Sequence, residues 1–368
     1  MRLPLLLLLL PACDPTIDPD PPTALPYTAT AFSVANTHTM IVTPFDPVTG
    51  GDNVKVAGTD VPRHVDDNGD PVPLGLPVMT AVAVGRVHAC GISATGSVHC
   101  WGDQTHAALG MHRVCTPPAA EGGVPDCTLG PAIMPSLPPV RALVAGDDVT
   151  CAIMKDDHVV CWGVPGRTGG SLLPALDPPT PVTLTDGAVL SAARLIASHG
   201  SICAIDHDAR LWCWGDGFAT LPQLQPQRGV TDIALGRRHR CIIDEDGLSC
   251  WGDDRNGEIG DIEFARACGD DCQITTPHHI DLDAYRVVVG ERHTCALDHA
   301  GVVTCWGSNE VGQLGRTDAF LVGDLGFALD TVSDLAAGYA HTCALRNGNA
   351  VWCWGSTSAL DPSETTTP

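Results

Sequence analysis

The chain has 368 residues, 20 Lys+Arg against 43 Asp+Glu, and a formal net charge of −23. This acidic balance excludes binding to nucleic acids or anionic membranes through bulk charge, because both are polyanions. Apolar residues make up 44% of the chain and exclude global disorder, while only 17% charged residues favour short strands over long surface helices. The 17 cysteines exceed what a reducing cytoplasm accommodates, and their odd number leaves one to be explained separately.

The N-terminus predicts an exported and lipid-anchored protein. One Arg precedes an apolar run over residues 3–10, which is too short to span a bilayer and is typical of a signal peptide over residues 1–12. Residues 10–13, LPAC, resemble the lipobox of bacterial lipoproteins, and the resemblance implies cleavage before Cys13 and diacylation of its thiol. Residues 13–32 are therefore interpreted as the anchor cysteine with a flexible tether rich in Pro, Thr and Asp. Ordinary secretion is the alternative.

Residues 33–356 are predicted to form one array of repeats, followed by a disordered tail over residues 357–368. The shared pattern is G-x-x-H-x-C-A-hydrophobic, a polar turn, and then hydrophobic-x-C-W-G. Six clear copies begin at Gly85, Gly146, Ser198, Gly236, Gly290 and Gly338. A degenerate seventh copy over residues 36–58 has Met40 in place of the first cysteine. Each unit predicts a β-hairpin preceded by a short apolar strand, and such units repeated about every 50 residues predict a β-propeller.

The paired cysteines of the six hairpins predict disulfides between neighbouring strands. They lie ten residues apart in five units and nine apart in the other, so that each pair comes together across its turn. Closing loops of this size contributes roughly 2.5–3 kcal/mol each. The predicted pairs are Cys90–Cys100, Cys151–Cys161, Cys203–Cys213, Cys241–Cys250, Cys295–Cys305 and Cys343–Cys353. The alternative of twelve buried free thiols requires a reducing compartment.

Four further cysteines lie in two connections between units. We expect the disulfides Cys115–Cys127 and Cys268–Cys272, with exchange between the two loops as an alternative. The second pair lies near His278 and His279, which raises the question of zinc, but neither the cysteine nor the histidine spacing fits common zinc motifs. We therefore expect no metal ion and no cofactor.

The other recurring residues are interpreted as structural. The Trp after each second cysteine is expected to pack blade against blade, and the Gly after it to allow a backbone turn. The His two positions before the first cysteine is expected to hydrogen-bond within its own turn, because equivalent positions around a ring do not converge on a metal. These histidines are His38, His88, His239, His293 and His341. The acidic stretch 66–70 lacks the spacing of an EF-type calcium loop and is interpreted as a solvated turn.

The units resemble the repeats of the regulator of chromosome condensation family. Residues 290–315 follow that repeat nearly throughout and end in WGSNEVGQLG, and residues 256–260 match its tail more weakly. The resemblance covers residues 33–356 and implies an all-β, seven-bladed β-propeller, in agreement with six clear units and one degenerate unit. It further implies a rigid disc that presents loops to a partner, while the namesake's chromatin role does not suit an exported acidic chain.

The chain is thus predicted to be a non-catalytic, monomeric binding module on a bacterial cell envelope. Anchored through Cys13 in the outer or inner membrane, or secreted, it is expected to bind a protein or glycan and no nucleic acid. The long inserts 105–139 and 163–197 are the candidate recognition loops. Two alternatives are a polysaccharide hydrolase or lyase, which convergent carboxylates in the central channel would favour, and a structural or adhesion protein.

Overall fold

All regular structure in the described residues is antiparallel β-sheet. The computed structural model describes residues 23–28, 31–34, 38–42, 54–58, 75–86, 88–103, 128–133, 137–164, 166–169, 179–260, 272–315, 331–346 and 350–356. Within these ranges the strands form seven sheets of three or four strands. We number the sheets 1 to 7 in chain order.

The strands of sheets 1 to 3 are β2 (Ala31–Val34), β3 (His38–Val42), β4 (Val54–Gly58); β5 (Met79–Val84), β6 (His88–Ser93), β7 (Val98–Asp103), β8 (Thr128–Ile133); and β9 (Val140–Ala145), β10 (Val149–Met154), β11 (Val159–Gly163), β12 (Thr180–Pro181). The strands of sheets 4 and 5 are β13 (Arg194–Ser198), β14 (Ser201–Ile205), β15 (Leu211–Gly215), β16 (Gln223–Leu224); and β17 (Asp232–Leu235), β18 (His239–Asp244), β19 (Gly247–Asp253), β20 (Gln273–Ile280). The strands of sheets 6 and 7 are β21 (Ala284–Val289), β22 (His293–Asp298), β23 (Val303–Gly307); and β1 (Thr23–Thr28), β24 (Val332–Ala337), β25 (His341–Arg346), β26 (Ala350–Gly355).

The sheets are arranged in a ring around a central channel. The first strands of successive sheets, β2, β5, β9, β13, β17, β21 and β24, contact one another in order, and β24 contacts β2 to close the cycle. Residues of all seven of these strands line the channel. The apolar core lies in the seams between neighbouring sheets, as in the cluster of Val149, Ile202 and Trp214 between sheets 3 and 4. This arrangement confirms the β-propeller prediction.

The centre of each hairpin holds a buried disulfide. Cys151 lies directly opposite Cys161 in the β10–β11 register, and the same holds in the other five hairpins. The Cα atoms of the pairs lie 4.0–4.2 Å apart. The pair Cys241–Cys250 is one residue closer in sequence because its turn is shorter, with Asp244 opposite Gly247. All six predicted hairpin disulfides are present in the structure.

The N-terminal strand completes the last sheet. In β1, Thr23 pairs with Cys353 and Ala24 with Trp352, so sheet 7 combines residues from both ends of the chain. The expected boundary between tether and propeller at residue 33 is therefore wrong, because the β-structure begins at Thr23. The Pro-rich composition of this stretch is compatible with a strand because β1 lies at the sheet edge, where Pro26 interrupts no interior ladder.

Candidate functional site

Two kinds of loop share one rim of the ring. Because consecutive strands of each sheet run antiparallel, the G-x-x-H turns lie on the same side as the segments that follow the third strands. We call this side the upper rim; its turns are residues 85–88, 146–149, 198–201, 236–239, 290–293 and 338–341. The predicted recognition insert 163–197 begins on this rim, and most of the insert 105–139 lies outside the described residues.

A chain of hydrogen bonds closes the seam between sheets 5 and 6 at the upper rim. His239 Nε2 lies 2.8 Å from Thr294 Oγ1, which donates to the Glu258 carbonyl oxygen at 2.8 Å. The same carbonyl accepts a bond of 2.8 Å from Trp306 Nε1. Because the single Thr294 hydroxyl hydrogen points to a carbonyl, His239 must donate, which places its proton on Nε2. We call this arrangement the His–Thr link.

Burial keeps the histidines of the link neutral. It lowers the pKa of His239 to about 4 and that of His293 to about 3, because a charged imidazole loses its hydration there. The nearby Asp253 raises the pKa of His239 but does not offset this desolvation. At neutral pH the link therefore consists of uncharged donors and acceptors.

The link recurs in two other described seams. His88 lies 2.7 Å from Thr150, and His293 lies 2.8 Å from Thr342, each time across a seam. Thr342 donates to the Gln313 carbonyl at 3.2 Å, as does the Trp354 indole at 2.9 Å. The expectation that each histidine bonds within its own turn is therefore wrong for these three: the imidazole reaches the next sheet.

Tight packing at the upper rim explains why the repeat pattern contains glycine. A Cβ at Gly290 would overlap the His293 ring and the Gly338 carbonyl oxygen of the next sheet. The glycine after each repeat Trp has a different role: Gly307, with φ 102°, adopts a conformation that other residues rarely reach. Gly290 thus serves the closure of the seam, and the backbone conformation of Gly307 confirms the predicted turn role of the second glycine.

The seam between sheets 4 and 5 lacks the His–Thr link. Ser201 occupies the histidine position, and its hydroxyl donates to the Asp216 carbonyl at 2.6 Å instead. Arg240 occupies the threonine position. Trp251 is partly exposed, whereas the five other repeat tryptophans are at most 4% exposed. A groove of about 470 Å³ on the upper rim includes Ser201 and Arg240 of this seam in its lining, together with residues of sheets 2, 3, 6 and 7, and we call it the seam groove.

The seam groove collects five arginines in an otherwise acidic chain. Three of them have carboxylate partners. Arg167 forms a two-point contact with Asp216, at 3.1 and 2.6 Å, and also approaches Asp148 at 3.4 Å. The other two paired arginines contribute the ion pairs Arg238–Glu291 at 2.9 Å, Arg238–Asp253 at 3.2 Å and Arg86–Asp148 at 3.5 Å.

The two remaining arginines, Arg237 and Arg240, have no carboxylate partner among the described residues. Arg237 is exposed. The Arg240 guanidinium carbon lies 5.0 Å from the Phe218 ring centre and 5.6 Å from that of Trp251, a cation–π arrangement. Its burial without a counter-charge lowers the pKa of Arg240 from its usual range. Within the described part of the chain, the groove thus presents two guanidinium groups that no carboxylate accompanies.

The central channel has a volume of about 260 Å³ and differs in character. Arg194 pairs with Asp232 at 2.7 Å, and Arg286 pairs with Asp334 at 3.1 Å, in both cases across a seam. Asp232 also accepts backbone bonds from Ile233 and Val287. Burial raises the pKa of Asp232, against the opposing effect of the Arg194 guanidinium. These two carboxylates therefore hold neighbouring sheets together rather than facing one another across the channel.

The remaining predicted sites are only partly within the described residues. Cys272 is disulfide-bonded, and because the other described cysteines pair among themselves, its partner lies outside the described ranges. This bond removes its thiolate from metal binding. Cys13, Cys115, Cys127, Cys268 and residues 66–70 lie outside the described residues. Within the described part, no helix is long and apolar enough to cross a membrane, and no three His, Cys, Asp or Glu side chains are grouped as for a metal.

Comparison with known families supports the resemblance noted in the sequence. The profile "Regulator of chromosome condensation (RCC1) repeat" matches residues 79–107, 286–313 and 332–358, which contain β-strands of sheets 2, 6 and 7. The chain thus carries repeats of the RCC1 type within a β-propeller fold. The matched stretches at 286–313 and 332–358 contain two of the three His–Thr partners described above, Thr294 and Thr342.

Relatives of this propeller are distant in sequence. Protein pim1 of Schizosaccharomyces pombe is 25% identical over 280 residues, covering 64% of this chain and 48% of its own. Ultraviolet-B receptor UVR8 of Arabidopsis thaliana is 27% identical over 255 residues, covering 64% and 54%. The chain thus spans about half the length of these relatives.

Solved structures show the same fold. Human WBSCR16 superposes with a TM-score of 0.67 at 18% identity, covering 90% of this chain and 87% of that one. Prp20p from Saccharomyces cerevisiae gives a TM-score of 0.61 at 17% identity, covering 89% and 83%. At these identities the likeness shows the fold alone.

Proposed function

We propose that this RCC1-type propeller is a non-catalytic module that binds a protein partner through its upper rim. The observation that carries the proposal is the seam groove, which combines an opening of about 470 Å³ with aromatic side chains and two guanidinium groups that pair with no described carboxylate. Arginine and aromatic residues are enriched where proteins bind other proteins. The relatives are consistent with such a role, since the Prp20p structure concerns a protein with binding properties to Gsp1p and histones.

We further propose that the module is held at a bacterial cell envelope by a lipid on Cys13. The six buried disulfides support an oxidising compartment, which is where exported proteins fold. Replacing Cys13→Ser is expected to move the protein from the membrane fraction to the soluble fraction while leaving the hairpin disulfides intact. Continued membrane association of the variant would contradict the anchor.

Two exposed tyrosines on opposite rims allow the binding face to be tested. Tyr339 is 47% exposed and lines the seam groove, whereas Tyr285 is 36% exposed at the base of β21, on the lower rim. Each is replaced separately by the photo-crosslinker p-benzoylphenylalanine in the full chain, and the cells are illuminated. The proposal predicts a discrete protein adduct from position 339 and none from position 285. Adducts from position 285 alone would contradict it.

A further inference from the structure

The seam groove differs from the other described seams in its polar chemistry. Between sheets 5 and 6 His239 Nε2, the Thr294 hydroxyl and the Glu258 carbonyl bond to one another in the His–Thr link. Between sheets 3 and 4 the equivalent positions hold Val149 and Ile202, which are both fully buried and pack in one apolar cluster. Between sheets 4 and 5, Arg240 is partly buried, and neither a His–Thr link nor an apolar pair closes the space around it. A guanidinium is a costly group to place there unless an anion accompanies it.

The environment of Arg240 orients its charge toward a ligand. Phe218 and Trp251 contact the guanidinium through their ring faces at 5.0 and 5.6 Å. None of its nitrogen atoms donates a hydrogen bond to a described residue, although Arg240 is only partly buried. A stacked guanidinium keeps its N–H groups in its own plane, where a carboxylate can accept two of them side by side.

The rest of the groove favours an anion in the same place. Arg237 contributes a second charge without a carboxylate partner among the described residues. Asp216 and Glu291 also line the groove, but Arg167 and Arg238 neutralise them at 2.6 and 2.9 Å. Asp147 is the remaining carboxylate of the lining, and its negative charge limits how many negative charges a ligand can carry into the groove. The net charge that the lining side chains present to a ligand is therefore positive, although the net charge of the whole chain is −23.

We propose that the seam groove binds a carboxylate-bearing peptide segment of the partner protein, with one carboxylate held by Arg240 and a second by Arg237. A volume of about 470 Å³ is in the range of specific ligand sites and suits a few residues of extended peptide. This inference rests on the proposed function and names the chemistry of the partner. The methylene groups of the peptide's acidic side chains would contact Phe218 and Tyr339, which line the same groove.

Calorimetry on the full chain with a defined probe tests the inference. The probe is acetyl-tetraglutamate amide, and the matched control probe is its tetraglutamine counterpart, both titrated at low salt because screening weakens such contacts. We expect the glutamate peptide to bind and the glutamine peptide not to bind. Arg240→Gln and Arg237→Gln should each weaken binding at least fivefold, and 0.5 M NaCl should weaken it further.

A control variant separates local recognition from bulk charge. Arg228→Gln removes the same charge from an exposed position on the lower rim, near Glu245, and should leave the dissociation constant unchanged. Because Arg240→Gln alters a stacked side chain, Arg237→Gln serves as the variant that leaves the packing intact. Equal binding by all three variants, or binding of inorganic phosphate in place of the peptide, would overturn the inference. If Tyr339 still forms its partner adduct in that case, the upper-rim function stands and only the acidic-peptide chemistry fails.

Discussion

The seam between sheets 5 and 6 and the seam between sheets 4 and 5 are built on the same repeat, yet they end differently at the upper rim. In the first, His239, Thr294 and the Glu258 carbonyl satisfy one another, and Trp306 is buried at 4% exposure. In the second, Ser201 and Arg240 replace the linked pair, and Trp251 is partly exposed. The open seam therefore differs from the closed one at both positions of the linked pair. An apolar pair in place of the link leaves a closed seam, as between sheets 3 and 4, whereas the charged replacement Arg240 coincides with a groove.

The largest contrast is expected from the two repeat tryptophans. Trp306→Ala removes a buried indole and its bond to Glu258, which should lower the free energy of unfolding by about 3–5 kcal/mol. Trp251→Ala removes a partly exposed indole and should cost only about 1–2 kcal/mol. Urea unfolding of both variants with disulfides intact measures the difference. Equal losses would mean that the two seams are packed alike.

Acid should weaken the closed seams selectively. His239 and His293 have lowered pKa values in the fold, about 4 and 3, so the unfolded chain binds more protons between those values and pH 6.5. Their contribution to stability is complete above about pH 6.5 and is lost as the pH falls, reaching a loss of about 2 kcal/mol per histidine at pH 5.

A histidine variant isolates this effect from that of the carboxylates. His239→Gln keeps an N–H donor for Thr294 but does not titrate in this range. Its urea midpoint should therefore fall less between pH 7.5 and pH 5 than that of the unaltered protein. An unchanged pH dependence would show that the imidazole is not the titrating group.

Removing the hydroxyl of the link should have an intermediate effect. Thr294→Val leaves the His239 N–H without its acceptor in a buried place, at a cost of about 1–3 kcal/mol. The matched control is Thr220→Val, an exposed position in the loop of sheet 4, which should change stability by less than about 0.5 kcal/mol. Differential scanning calorimetry compares the two variants. An unchanged stability of Thr294→Val would show that the His–Thr link does not stabilise the seam.

The smallest effect on stability is expected from rebuilding the link in the open seam. The double variant Ser201→His with Arg240→Thr supplies the two missing side chains and should gain at most about 1 kcal/mol. The gain is limited because the loop of sheet 4 lacks the repeat tail that provides a carbonyl like that of Glu258. The same variant should lose binding of the tetraglutamate probe. Retention of that binding would locate the anion site elsewhere.

The sequence predicted the fold well because its signals were local. Cysteines nine or ten residues apart about a polar turn define a hairpin, and six such hairpins define a ring, so the disulfides and the β-propeller followed from spacing. The strand Thr23–Thr28 was missed because its partner, β26, lies at the other end of the chain. A Pro-containing edge strand has no local pattern that distinguishes it from a tether.

The candidate site was not predicted, because its signal lies between repeats rather than within one. Each interpretation of the histidine treated one unit at a time, whereas the imidazole reaches the threonine of the next unit. A register comparison would have shown that His88, His239 and His293 precede units with threonine before the first cysteine, whereas Ser201 precedes one with Arg240. The arginine-rich stretch GRRHRC was the visible sign of the groove.

Hydroxyl-radical footprinting of the native protein, read by mass spectrometry, can show whether the seam between sheets 4 and 5 is open in solution. It compares the modification of Trp251 and Phe218 in the open seam with that of Trp306 in the closed seam. We expect rapid modification of Trp251, slow modification of Trp306, and protection of Trp251 when tetraglutamate is added. Equal protection of Trp251 and Trp306 in the free protein would contradict this expectation, because the seam between sheets 4 and 5 would then be closed.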